Sequence, residues 1–194
     1  MSERFTSVPA EGLDALVAHT PLCWIVPHGA PEAAILMPVV LERDGADISL
    51  LGHLPRGAPA TRMLGKDPAA TFLFLGPHGY ISPAMAGRRD WAPTWNFASA
   101  RLTGSLRLDS GITRPSVEAL VAQMEGARGW RIDELGLRAD DLLERIIGFI
   151  ATVHEVASRF KLGQDEDPET FAAIVSSLDG TELGMWTSRY GREC

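Results

Sequence analysis

The sequence predicts a mainly β protein with added helices, an α+β class built on a small barrel, and three observations lead there. Six or so short apolar runs are separated by turn signals, with hairpin turns early in the chain and helical patterns late. Strands and helices do not alternate in the βαβαβ manner, and no G-x-G-x-x-G opens a helix after a strand, so a parallel dinucleotide-binding sheet is disfavoured. No internal repeat or low-complexity linker divides the 194 residues, a length that suits one domain with its own core.

The elements follow in order. Pro9 to His19 places Leu13, Leu16 and Val17 on one helical face, and Pro21 ends it. Leu22 to Val26 is a compact strand, and Ala33 to Leu41 is a second, interrupted by Pro38, which suggests an edge or a bulge. Asp44-Gly45 makes a tight hairpin turn into the strand Ile48 to His53. Residues 59–66 form a short helix stopped by Asp67-Pro68, and Ala70 to Leu75 is a buried strand. A long loop then precedes a strand from Asn96 to Leu108. Helical insertions fill about 112–147, first Arg114 to Glu125 with Val117, Leu120, Val121 and Met124 in a stripe, then Asp140 to Ile147. Gly148 to Leu162 returns to strand, rich in β-branched and aromatic residues. Pro168 opens a last helix through Leu178, which completes a single domain over 1–180. The tail 181–194 shows no clear period.

Composition narrows the function. The formal net charge is −7, and Lys66 and Lys161 are the only lysines, so a phosphate-backbone footprint is missing and direct nucleic-acid binding is not expected. No apolar run is long enough to cross a bilayer, and the N-terminus lacks the basic-then-apolar pattern of a secretory signal, which makes the cytoplasm the expected compartment. Cys23 sits in an apolar run as a small hydrophobe and Cys194 is the final residue; two cysteines make no framework. His19, His28, His53, His78 and His154 show no metal-ligand spacing, and no G-x-S-x-G is present.

The loop between the two central strands concentrates the chemistry. It gathers His78, Tyr80, Ser82, Thr94, Trp95 and Asn96 among several prolines, and ordering such a segment is costly unless it closes over something. Simpler readings exist for individual residues: His78 bonding its own loop, Trp91 and Trp95 as packing anchors, His154 as a structural strand residue, Arg88-Arg89-Asp90 as a solvated tip.

Four segments in order, L-L-G-H-L-P-R-G-A-P at 50–59, F-L-G-P-H-G-Y-I-S-P at 74–83, P-T-W-N-F at 93–97 and F-K-L-G-Q at 160–164, resemble the PaiB-like family of FMN-binding negative transcriptional regulators. The resemblance covers roughly residues 10–180. It implies a split β-barrel of the FMN-binding type and a homodimer with FMN between the two barrels. It also implies a flavin-dependent oxidoreductase or a flavin-binding regulator, the alternatives being a sensor without turnover or a diverged member that holds haem or no flavin.

That role suits the residues. A flavin phosphate wants guanidinium, hydroxyl and N–H partners, for which His53, Arg56, Thr61 and Arg62 stand directly after a strand. The flat ring wants an aromatic face and donors along its edge, for which Tyr80, Ser82, Thr94, Trp95 and Asn96 stand in the loop, with His78 as a proton donor near the flavin or an anion contact and Lys161 and Gln164 as a polar wall. The chain departs from the family pattern at Ala58, where an asparagine is usual, at Ala84-Met85, usually a Trp-Tyr pair, and at Asp165-Glu166, usually Asn-Arg. A histidine usual just beyond the W-N pair is also missing.

Overall fold

The computed structural model describes Phe5, Thr6 and residues 8–192, so Cys194 lies outside the described residues. Helix α1 (Ala10–His19) precedes strands β1 (Leu22–Pro27), β2 (Ile35–Asp44) and β3 (Asp47–Pro55), then helix α2 (Pro59–Leu64). Strands β4 (Ala69–Ile81) and β5 (Thr94–Asp109) are followed by helices α3 (Thr113–Glu125) and α4 (Arg138–Leu143). Strand β6 (Ile146–Lys161) leads to helices α5 (Pro168–Ser177) and α6 (Glu182–Tyr190). The six strands close a barrel in the order β1-β2-β3-β6-β5-β4. Every pair with an assigned register is antiparallel, Trp24 standing opposite both Leu36 and Leu73, and Leu51 opposite Ile150. This is the expected class, reached by closure, which leaves no open sheet edge.

The chain divides into two compact units. The first holds Val17–Phe74 and Arg101–Val156. Its centre is made by buried residues of each strand, Cys23 and Ile25, Val39, Leu50, Phe72, Leu102 and Leu106, Phe149 and Ala151. Phe72 and Phe149 meet with ring centroids 6.3 Å apart, and each buried ring contributes about 2–3 kcal/mol of burial energy. The Cys23 thiol donates to the carbonyl of Met37, and burial pushes its pKa up to about 12. Gly45 takes φ +59° as the first residue of a two-residue hairpin between the paired Asp44 and Asp47, where a II′ turn places glycine. Gly148 is needed where α3 begins: a β-carbon there would lie 2.7 Å from the backbone of Ile112 and Thr113, and its N–H donates to the Thr113 hydroxyl. Pro38 lies in no edge strand. It pairs with Leu22 on one side, and on the other it stands just before the β3 ladder, which begins at Val39, so its missing N–H removes no assigned ladder bond.

The second unit comprises the described residues up to Leu16, Leu75–Ala100, and Ala157 onward. Phe160, Trp186 and Tyr190 form its aromatic centre, with centroids 5.1–5.5 Å apart. Helix α5 is capped by Asp167, whose carboxylate accepts from the N–H groups of Glu169 and Thr170.

Three boundaries differ from the sequence reading. The strand expected to end at Leu75 continues through Gly76-Pro77-His78-Gly79 to Ile81. Burial alternation shifts phase at Gly76 and Pro77, as at a bulge. Gly76 works there as a close-approach residue rather than a turn, because a side chain would run into Leu16 and Ala98. The helix expected over Asp140 to Ile147 stops at Leu143, since Ile146 and Ile147 pair with Pro55 and Leu54 in the barrel. The tail read as aperiodic contains α6, capped by Thr181 and buried along Leu183, Trp186, Thr187 and Tyr190.

Candidate functional site

The residues singled out in the sequence fall into two sets, one in each unit.

The first set is the basic turn between β3 and α2. Pro59 fixes the first helical position of α2, and the Thr61 hydroxyl donates back to the carbonyl of Pro55 at 2.7 Å, closing the turn. Thr61 is thereby buried and its proton committed. Arg62 donates to the carbonyl of Gly57 at 2.7 Å. Arg56 donates through Nε to the carbonyl of Glu144 at 3.0 Å and through Nη2 to the Ser110 hydroxyl at 3.3 Å, so two of its three nitrogens anchor the turn. It lines a hollow of about 360 Å3 with Ser110, Arg114, Asp140 and Glu144. Arg114 is itself held by Glu118, Asp133 and Asp140, so an anion entering there meets carboxylates beside the two guanidinium groups. His53 is half-buried, and its Nδ1 has no hydrogen-bond partner among the described residues. Desolvation holds its pKa below the ordinary 6.5, so it offers a neutral imidazole rather than a charge.

The second set is an aromatic platform carried by β4, β5 and β6. His78 and Trp95 stack with centroids 6.5 Å apart, and Tyr80 meets Trp95 edge-on at 6.1 Å. Tyr80 and Trp95 remain half exposed, at 50% and 55%. At the margin the Lys161 ammonium donates to the Thr94 hydroxyl at 2.5 Å and to the carbonyl of Trp95 at 3.3 Å. His78 Nδ1 donates to the carbonyl of Gly76 at 2.9 Å, which fixes the tautomer and leaves Nε2 as the other nitrogen. This is the backbone bond anticipated from sequence, and it places the imidazole on the platform.

Of the remaining candidates, Ser82 and Gln164 bond backbone groups, whereas Asn96 does not. The Ser82 hydroxyl accepts from the N–H of Met85, starting the turn after β4. Gln164 accepts from Leu162 N–H and donates to the carbonyls of Phe160 and Tyr190, all backbone groups. Asn96 points inward and is buried, with its Nδ2 unpartnered among the described groups. Trp91 donates its indole N–H to Glu166 at 2.9 Å, so one of the departures from the family pattern supplies a structural acceptor. Arg88, at the anticipated solvated tip, pairs with Asp90 and Asp167.

FMN fits this donor chemistry. A flavin ring needs an aromatic surface and a cation at its edge, types that Trp95, Tyr80 and Lys161 supply within the second unit, and a phosphate needs guanidinium or N–H groups, a type that Arg56 and Arg62 supply within the first. The orphaned Nδ1 of His53, at the end of β3, is a buried polar atom of the kind a ligand completes. No cluster of metal-ligating side chains occurs among the described residues, and no helix among them is long and apolar enough to cross a membrane.

Comparison with known proteins agrees with the fold. Residues 1–155 match the family described as "Putative FMN-binding domain". A protein of Bacillus subtilis (strain 168), "Protease synthase and sporulation protein PAI 2", is 24% identical over 159 residues, covering 80% of this chain and 76% of that protein. Among solved structures, the FAD and heme binding protein from Mycobacterium smegmatis superposes with a TM-score of 0.58 at 20% identity, covering 87% of this chain and 79% of that one. The flavocytochrome Anf3 from Azotobacter vinelandii gives 0.55 at 17%, covering 88% and 80%.

Proposed function

Since the chain belongs to the FMN-binding domain family, whose cofactor is FMN, we propose that it is a cytoplasmic, homodimeric flavoprotein of the PaiB-like kind whose ring-binding surface is the platform of Trp95, Tyr80 and His78. When bound, FMN supplies hydride and electron-transfer chemistry. The protein's share is to orient the ring, shield it from water and place charge at its edge.

The observation that carries this reading is the half-exposed aromatic stack with an ammonium fixed at its margin. A half-exposed tryptophan and tyrosine in contact form a surface that a flat ring covers with little loss of conformational freedom. Lys161 is held by two acceptors, so its charge is pre-positioned for the electron-rich edge of a flavin. Within the first unit, Arg56 and Arg62 are the guanidinium groups of the kind that a phosphate takes, each already oriented by a backbone carbonyl. A second copy of the chain is the proposed cover for the outward stripe of the first unit, where Trp24 stands between its cross-strand partners Leu36 and Leu73 and all three are at least 40% exposed. The net charge of −7 favours regulation through another protein over direct contact with DNA.

The test is to purify the protein and record its visible spectrum and its mass by sedimentation. Flavin absorption bands, a dimeric mass and a Trp95→Ala variant that releases FMN support the reading. A protein that ignores added FMN, shows a Soret band instead, or sediments as a monomer overturns the corresponding part. NAD(P)H oxidation in the presence of FMN then separates an oxidoreductase from a sensor without turnover.

A further inference from the structure

A second concavity lies in the first unit, lined by none of the residues assigned to the flavin. It is an open cleft of about 560 Å3 between the end of α2 and the start of β4 on one side and the outer faces of β5 and β6 on the other. That volume is within the range of small-molecule sites. Its walls are apolar, formed by Leu64, Pro68, Leu108 and Ile150. Three polar side chains converge on it: Ser105 and Arg107, two residues apart on β5 and so on one face, and Thr152 on β6.

These groups are held in place by the fold. Gly104 lets β5 and β6 approach so closely that a side chain there would meet the carbonyl of Thr152. The N–H of Leu106 donates to the carbonyl of Pro68 at 2.8 Å, tying β5 to the start of β4 at the floor. Ser105 shares a hydrogen bond of 3.1 Å with Nε2 of His154. Arg107 pairs with Asp109 at 2.5 Å, and Asp109 is itself anchored by accepting from the N–H of Gly111 at 2.8 Å. The guanidinium is thus oriented by a fixed carboxylate that engages one of its nitrogens.

We infer that this cleft is a binding site for a small amphipathic carboxylic acid, its carboxylate on Arg107 with the hydroxyls of Ser105 and Thr152, its apolar body against Leu64, Pro68, Leu108 and Ile150. The charge sets the class. One guanidinium already facing Asp109 leaves too little positive charge for a phosphate dianion but suits a monoanion helped by two hydroxyls. The apolar walls exclude a fully polar acid, whose hydration would be lost without replacement.

Octanoate is the probe, added to the flavin-loaded protein and followed by calorimetry and by amide chemical shifts. Saturable one-to-one binding is expected, with shifts at Ser105, Arg107 and Thr152 and weaker binding of octan-1-ol. Arg107→Gln, at an exposed position, lowers octanoate affinity about tenfold or more. Ile150→Trp, which fills the cleft, abolishes binding, and both variants keep FMN as tightly as wild type. The inference is overturned by absence of saturable binding, or by octanoate affinity that neither substitution changes. It is also overturned if FMN is lost in step with octanoate, because the cleft would then belong to the flavin.

Discussion

The Lys161 ammonium lies 2.5 Å from the hydroxyl oxygen of Thr94, joining the end of β6 to the start of β5 across 67 residues of chain. Removing the acceptor leaves the ammonium less fixed. Thr94→Val keeps the shape and is expected to weaken FMN binding about threefold to tenfold, the worth of one hydrogen bond. Lys161→Met removes the charge as well and weakens it further. Flavin fluorescence quenching reads both, and unchanged affinity in the two variants takes the ammonium off the flavin.

Strand packing gives a sharper structural test. A β-carbon at Gly104 meets the carbonyl of Thr152, which belongs to backbone and has little room to yield. Gly104→Ala is expected to cost about 1–3 kcal/mol, as overpacking does. For a chain of this length that lowers Tm by several degrees. An unchanged Tm means that β5 and β6 separate more easily than their geometry suggests.

Helix α6 closes the second unit through Trp186, which packs on Phe160 and Tyr190. Trp186→Ala is expected to cost about 3–5 kcal/mol. Urea unfolding measures it, and a loss below about 1 kcal/mol would make the C-terminal helix dispensable.

Acid should act through Asp167 and His53 in separate windows. Hydrogen bonds from the N–H and hydroxyl of Thr170 hold the Asp167 carboxyl below its ordinary 3.8, so its contribution is present above that value and lost as pH falls through the acid range. Asp167→Asn should flatten stability there. Burial holds His53 below 6.5, so the unfolded chain takes up the proton first and stability declines as pH drops from above 6.5 toward the folded value. His53→Gln should remove that slope. Thermal melts from pH 8 to pH 3 check both, and a wild-type profile flat near pH 6 would contradict the burial of His53.

Much of this protein was written locally. The apolar run Leu22–Val26, the alternation over Asn96–Leu108, the Asp44-Gly45 turn and the Pro168 start follow from side-chain period and backbone preference, which neighbours in sequence decide. The stripe Leu183, Trp186, Thr187, Tyr190 also has helical spacing, but Gly184 and a polar Thr187 concealed it. Only tertiary structure decided the rest. Gly76 and Pro77 read as loop until Leu16 and Ala98 press against a glycine that must stay bare. Ser82 and Gln164 read as ligand groups, and in the fold the Ser82 oxygen accepts from the N–H of Met85 while Gln164 bonds the backbone around Phe160 and Leu162. Local sequence sets what a segment prefers, whereas the partners of a polar group, and hence its freedom to serve a ligand, depend on residues brought near by closure of the barrel.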